Sequence, residues 1–465
     1  MKRSANCAAM SDSSGTPAAD RVAGVPGQDF TVEDVRGVFP HEIEIQPVER
    51  PVDATVRVPG SKSVTNRALI VAALASGTST IHNPLFSDDS FWLMQALARL
   101  GFDVRADRGA GYIRIEGRAG RIPSRNVYVF VGNAGTVARF LPPALALGPG
   151  PYRIDGTPRM RERPVQDLVD ALRNLGATVD YAEESGRFPL VIRGGGLPGG
   201  ETRVAGDRSS QFLSGLLIAA PYAERGVALE VRGDLVSKPY VGITTDVMRA
   251  FGVEVDEKPG LYTVSRSTYE ARDYTVEPDA SGASYFMAAA AVTGGRVRIP
   301  DLGEGSTQGD LRFTEVLREM GCQVKLGLDF VEVQGPGRLR GVEVDMNEFS
   351  DTMMTLAAIA PFADRPTTIT NVEHTRHQET DRISAVATEL NRLGLTAHET
   401  RRSLRIIPGE PRSGVVRTYD DHRMAMAMAL IGLVSPGIRI QHPGCVTKTF
   451  PDYFQKLAGL HARRL

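Results

Sequence analysis

Reactive side chains in this sequence gather at the start of otherwise apolar segments. Lys62, Ser63 and Arg67 open one such segment, and Gly132, Asn133, Gly135 and Thr136 open the next, with Arg139 one turn in. Ser209, Ser210 and Gln211 open a third, Asp351 another, and Asp421, His422 and Arg423 the last. Helix N-termini carry partial positive charge and unpaired N–H groups, so residues there favour anions. Further cations lie in loops: Arg159, Arg161 and Arg163 in TPRMRERP, Arg376 and Arg382 in HTRHQETDR, and Lys448 in CVTKTFPD. Arginine grips carboxylate or phosphate in bidentate fashion, while lysine acts as a point charge or proton donor. Asp351 and Glu379 stand among these cations as candidates for acid or base work. The indicated chemistry is proton transfer in a cleft that holds more than one anionic group. Singly, each residue has a plainer reading. A loop arginine is more often a solvated charge, and Asp421 or Ser209 suits a simple helix cap. The repetition sets these apart.

Two interleaved units position them. An amphipathic helix ending in glycine, then a strand, recurs as LMQALARLGFDV, LVDALRNLGATV, TDVMRAFGVEV, FTEVLREMGCQV and VATELNRLGLTA. Its glycines, Gly101, Gly176, Gly252, Gly321 and Gly394, are 75, 76, 69 and 73 residues apart. Each suits a left-handed C-cap. FPDYFQKLAGL, with Gly459, reads as a degenerate further copy. Between these helices lie segments apolar on nearly every side, from Ser63, Ala134, Ser209, Ser281, Ser350 and Asp421. Helices apolar all round are buried. The chain therefore reads as α/β, with six strand–helix–strand–helix–strand units of about 70 residues.

Six units exceed one core, so two domains of three units each are expected. Residues 1–42 are expected to be a disordered tail, with Met10 an alternative start. One domain would be discontinuous, 43–60 plus 279–465, and the other, 61–278, inserted, with crossings near 60 and 278. Ile43–Gly60 would supply leading strands.

Lys and Arg number 54 and Asp and Glu 55, a net charge of −1 that argues against holding nucleic acid by bulk charge. No stretch approaches the ~18 apolar residues of a membrane span. Cys7, Cys322 and Cys445 are too few and scattered for a disulfide framework or structural zinc, so a cytoplasmic setting without metal is expected.

At VPGSKSVTNRAL, GNAGTVAR, GTPRMRERPVQDLVDALRNLGA, SSQFLSGLLIAAP, SKPYVGIT, DASGASYFMAAAA, QGDLRFTEVLREMG, SDTMMTLA, ETDR, DDHRMAMA and KTFPDYF, the chain resembles the enolpyruvyl transferases. Within them it is similar to the 5-enolpyruvylshikimate-3-phosphate synthases, over residues 45 to 460. The resemblance implies two domains of βαβαββ-type repeats with buried inner helices, an inside-out α/β barrel. It implies enolpyruvyl transfer from phosphoenolpyruvate to the 5-hydroxyl of shikimate 3-phosphate, releasing phosphate, with no cofactor and no metal. A monomer is expected, with no nucleic acid or membrane partner.

By the same resemblance, Lys62, Gly135, Arg163, Gln211, Arg382, His422, Arg423 and Lys448 would hold phosphoenolpyruvate. Shikimate 3-phosphate would meet Lys62, Ser63, Arg67, Ser209, Ser210 and Gln211, with Ser237, Tyr240, Asp351, His374 and Gln378. Lys62, Asp351, Glu379 and His422 would be catalytic. Asp351 would take the hydroxyl proton, and Glu379 or Lys62 would protonate the methylene carbon. Glyphosate would compete at the phosphoenolpyruvate site beside Gly135.

Three departures from the family pattern stand out. Phe140 replaces a common proline, and His374 and Gln378 replace Asn and Lys at the acceptor phosphate. Enolpyruvyl transfer to another acceptor such as UDP-N-acetylglucosamine is the nearest rival, but residues 156–164 lack the cysteine usual there. A nucleic-acid end-processing protein and a non-catalytic anion-binding paralogue are further alternatives. Cations drawn from both halves should repel one another, so an empty cleft is expected to stand open.

Overall fold

The computed structural model describes residues 37–206 and 209–460, together with the backbone of a two-strand ladder, Arg21–Val22 with Phe30–Thr31. Most of the proposed tail, Met10 included, lies outside the described residues. Its last part is structured, contrary to expectation. Glu42 pairs with Gln441 and Phe39 packs against the core, because an edge strand there gains a ladder and covers apolar surface.

Six inner helices appear where the apolar segments predict them: Lys62–Leu74, Gly135–Ala146, Ser210–Ala219, Ala280–Thr293, Met353–Ile359 and His422–Gly432. Ser209, Asp279 and Asp421 cap theirs through the side chain. The fifth starts as a tight turn, Ser350–Thr352, which carries Asp351. The second runs through Pro142 and Pro143. Pro143 lacks the N–H that would bond the Arg139 carbonyl. Gly215 packs there, where a Cβ would stand 2.4 Å from that oxygen.

Each inner helix is followed by a strand in its own small sheet, six in all among the described residues. Strand pairs flanking an inner helix run parallel, as Val127–Phe130 with Tyr152–Asp155 and Gly414–Val416 with Ile438–Gln441 do. Two units borrow their parallel strand from elsewhere in the chain. Asp53–Thr55 pairs with Arg296–Pro300, and Asp273–Thr275 with Ser76–His82. Glu42–Ile45 joins the sixth sheet. The chain thus passes twice between two hydrophobic cores. One is built from residues between Val64 and Val276, the other from Ile45–Val58 and Ala280–Leu460. At the passage, Gly60 bridges Pro278, and a Cβ on Gly60 would stand 2.0 Å from the Asn83 carbonyl oxygen.

The five expected glycine caps adopt φ of +91°, +91°, +85°, +99° and +80° at Gly101, Gly176, Gly252, Gly321 and Gly394. Gly459 differs: it is the last residue of the helix Tyr453–Gly459.

Candidate active site

The inner helices of the two cores converge on a cavity of about 550 Å³. Its walls include Lys62, Ser63, Arg67, Arg163, Ser209, Ser210 and Gln211 from one core. Ser237 and Tyr240 stand beside them, and Asp351, His374 and Gln378 face them from the other core. The remaining sequence candidates, Gly135, Glu379, Arg382, His422, Arg423 and Lys448, are not in this wall. They adjoin it: Gly135 abuts Arg163, and the others belong to a buried network of charges that reaches the cavity through Asp351.

Arg382 centres that network. Its Nε donates to Asp421 Oδ2 at 2.9 Å, Nη1 to Asp351 Oδ1 at 3.0 Å, and Nη2 to Glu379 Oε2 at 2.9 Å. The Gln378 amide oxygen also accepts from Nη1. Arg423 Nη2 donates to Asp351 Oδ2 at 2.7 Å. Lys448 Nζ reaches Glu379 Oε1 at 2.8 Å and the Asn133 carbonyl at 2.9 Å. Lys62 Nζ lies 3.6 Å from Asp89 Oδ2. The expected net repulsion between the two halves is thus revised. Carboxylates alternate with the cations and neutralise them in place.

Burial opposes ionisation of Asp351, but Arg423, Arg382 and Lys62 outweigh it and hold its carboxyl well below the usual range. For Glu379, burial is likewise overcome by Lys448, Arg382 and Arg163. Both acids are therefore ionised at neutral pH. Burial, reinforced by Arg423 and Lys62, pushes His422 well below its ordinary value, so its ring is neutral. Neither ring nitrogen has a hydrogen-bond partner; Nδ1 lies 3.5 Å from Asp421 Oδ1 without bonding geometry.

Arg163 stands apart from the other cations. It is buried, and its Nε and Nη1 have no hydrogen-bond partner. A buried guanidinium with free donors is costly unless an anion completes it. Arg67 is the reverse case. Its Nε donates to Thr244, Nη1 to the Ser63 carbonyl, and Nη2 to Ser214 and the Tyr240 carbonyl, with Phe140 under the guanidinium at 4.9 Å. Four of its five N–H groups are satisfied by protein. Burial pulls its pKa down to about 10. Arg67 therefore shapes the wall more than it offers donors.

His374 bonds Ser350 Oγ at 2.8 Å, and burial lowers it to about 4. Gln378 gives its side-chain oxygen to Arg382, so neither replacement presents a cation to the cavity. Among the loop cations, Arg161 pairs with Asp155 and Glu183, and Arg376 with Asp381 and Glu399, as plain structural ion pairs. Arg159 instead crosses to the Gln378 and Glu379 carbonyls at 3.0 and 3.1 Å. Sequence reasoning passed over Asp89, which lies beside Lys62, and Asp310, which lies beside Tyr240. Asp89 lies in the first turn of a capped helix, and SDDS looks like capping alone. No group of three or more His, Cys, Asp or Glu suited to a metal occurs among the described residues.

The EPSP synthase (3-phosphoshikimate 1-carboxyvinyltransferase) family model matches residues 47–457. The chain belongs to this family. A curated 3-phosphoshikimate 1-carboxyvinyltransferase of Nostoc sp. (strain PCC 7120) is 50% identical over 416 residues, covering 89% of this chain and 98% of that protein. One from Halalkalibacterium halodurans is 45% identical over 424 residues, covering 90% and 94%. Among solved structures, EPSP synthase from Acinetobacter baumannii aligns with TM-score 0.76 at 25% identity, covering 90% of this chain and 98% of that one. The enolpyruvyl transferase NikO from Streptomyces tendae aligns with TM-score 0.73 at 20% identity, covering 91% and 97%, a likeness of fold. The six-unit α/β architecture described above is thus the two-domain fold of the EPSP synthase family. No helix among the described residues is long and apolar enough to cross a membrane.

Proposed function

We propose that this chain transfers the enolpyruvyl group of phosphoenolpyruvate to the 5-hydroxyl of shikimate 3-phosphate, giving 5-enolpyruvylshikimate 3-phosphate and phosphate. The observation that carries the reading is the buried charge network adjoining the cavity, in a chain half identical to curated 3-phosphoshikimate 1-carboxyvinyltransferases.

Phosphoenolpyruvate would lie against that network, with Arg163, Arg382, Arg423 and Lys448 on its phosphate and carboxylate. Gln211, His422 and the helix opening at Gly135 would complete its pocket. Shikimate 3-phosphate would fill the cavity between Ser63, Ser209, Ser210, Ser237, His374 and Tyr240. Asp351, ionised beside Tyr240, accepts the hydroxyl proton as oxygen attacks C2. The methylene carbon must gain a proton. Glu379 is held ionised by Lys448 and Arg382, which favours Lys62 as the donor. Lys62, left neutral, takes a proton back from the resulting methyl carbon as the C2–O bond to phosphate breaks, which restores the vinyl group, and phosphate leaves into a ring of cations that stabilises its charge.

The domain boundaries of this reading are 43–60 plus 279–465, and 61–278. The passage at Gly60 and Pro278 and the composition of the two cores support them. A cytoplasmic monomer acting on these small molecules fits the biosynthetic reaction.

The test is phosphate release from phosphoenolpyruvate with shikimate 3-phosphate or UDP-N-acetylglucosamine as acceptor. Turnover with shikimate 3-phosphate alone is expected. Preference for the other acceptor, or no turnover with either, would overturn the proposal.

A further inference from the structure

A buried acid outside the roles above sits one hydroxyl away from Asp351. Asp310 lies in the turn Gly309–Arg312, beside the fourth inner helix. Its Oδ2 is 3.1 Å from the Tyr240 hydroxyl, which is itself 2.7 Å from Asp351 Oδ2. Ser281 Oγ also bonds Asp310 Oδ2, and Asp310 Oδ1 has no partner. Tyr240 comes from the opposite core, so its hydroxyl bridges two carboxyl groups across the cleft.

A phenol has one proton and can donate to one acceptor. Burial and the two acids push Tyr240 well above its ordinary value, so it keeps that proton. Its shorter contact, to Asp351, takes the donation. The contact to Asp310 is then oxygen against oxygen, and becomes a hydrogen bond only if Asp310 supplies the hydrogen. We propose that Asp310 is a positioning residue for the transfer reaction: carrying a proton, it donates to Tyr240, which in turn is held donating to Asp351.

The electrostatics agree. Burial first, then the Asp351 charge, raises Asp310 to about 7, with Asp279 adding and Arg423 and Ser281 opposing. These groups and Tyr240 are what act on Asp310 from the fourth inner helix, the Asp351 turn, the sixth inner helix and the opposite core. A raised folded-state value means the arrangement is complete in acid and is lost as pH rises through about 7. Above that, a second anion faces the phenol oxygen. Tyr240 then loses the partner that fixes its hydroxyl, and Asp351 meets a like charge.

This inference rests on the proposed enolpyruvyl transfer, and its test separates the two. Wild-type turnover of phosphoenolpyruvate with shikimate 3-phosphate at pH 6.5 tests the reaction itself. The further inference is tested by the kcat/KM pH profile from 6 to 9 for wild type, Asp310→Asn, Asp310→Ala and Ser281→Ala. Wild type should show a falling limb with a midpoint between about 7 and 8. Asp310→Asn keeps a neutral donor. It should stay within about threefold of wild type at pH 6.5 and lack the limb, while Asp310→Ala falls about tenfold or more. Ser281→Ala removes a donor that favours the ionised carboxyl, so its limb should move to higher pH. A wild-type limb retained in Asp310→Asn, or activity of that variant as low as Asp310→Ala, would overturn the role. If Asp310→Asn does not fold, Ser281→Ala decides: a limb that stays or moves to lower pH is incompatible with a protonated Asp310.

Discussion

Arg163 lies against Gly135: a Cβ on that glycine would stand 2.8 Å from Nη2 and 3.0 Å from Nη1 of the guanidinium. The second inner helix thus begins with no side chain where the least satisfied cation of the site packs. Arg163 holds charge in a buried place with two unpartnered nitrogens, an arrangement that favours binding an anion over stabilising the empty protein.

Arg163→Ala should accordingly cost function more than stability. Losing one partner of a buried charge pair typically costs ~2–5 kcal/mol, so kcat/KM for phosphoenolpyruvate should fall more than about tenfold. Arg163→Lys should recover little, because a point charge cannot replace the planar fork. Steady-state kinetics checks this together with a urea midpoint, which should be unchanged or higher. A change in kcat/KM below about threefold would exclude Arg163 from ligand binding.

Gly60→Ala tests the passage between the cores. The added carbon would meet the Asn83 carbonyl oxygen at 2.0 Å, a fixed backbone atom that cannot swing aside. The loss of stability should be on the order of 3 kcal/mol or more, as for other overpacked core positions. Urea denaturation measures it; a neutral result would show that the crossing has slack.

Much of this was legible in the sequence because periodicity and glycine punctuation are local signals. The 70-residue repeat gave the helices, and Gly101, Gly176, Gly252, Gly321 and Gly394 marked their ends. The borrowing of Asp53–Thr55 and Asp273–Thr275 was not legible in detail, since strand exchange depends on pairing over more than 190 residues. At the site, residue type and position at helix starts pointed to the cations. Their partners were hidden. Asp89 reads as a cap and Asp310 as a turn residue, and only the fold brings them to Lys62 and Tyr240. Repulsion was overestimated for the same reason: counting cations along a chain does not reveal the carboxylates that interleave with them.

His374 supplies a pH dependence of stability. Burial lowers it to about 4, against an unfolded value near 6.5. Its contribution is therefore complete above about pH 6.5 and is lost as pH falls toward 4, because the unfolded chain binds the proton first. The loss should be on the order of 1–3 kcal/mol. His374→Asn should flatten the urea midpoint between pH 7 and 4.5. An equally steep decline in the variant would assign that decline to other groups.

The Gly135–Arg163 contact also bears on glyphosate, which should compete with phosphoenolpyruvate. A methyl group at residue 135 meets the far end of a flexible side chain, so it need not break the fold. It must push the Arg163 guanidinium aside by a few tenths of an ångström. A compact substrate can follow that shift; a longer inhibitor filling the space beside Gly135 cannot. Gly135→Ala should therefore raise KM for phosphoenolpyruvate several-fold and weaken glyphosate by a larger factor. Phe140 lies further along the same helix. It is fully buried under Arg67 at 4.9 Å, so its influence on Gly135 passes through the helix backbone. The direct contact outweighs that indirect one, and the wild-type chain should be inhibited below millimolar glyphosate, competitively with phosphoenolpyruvate. Inhibition kinetics of both forms decides. Resistance of the wild type at millimolar inhibitor would mean that Phe140 already displaces the helix start, and that the open space beside Gly135 does not admit the longer molecule.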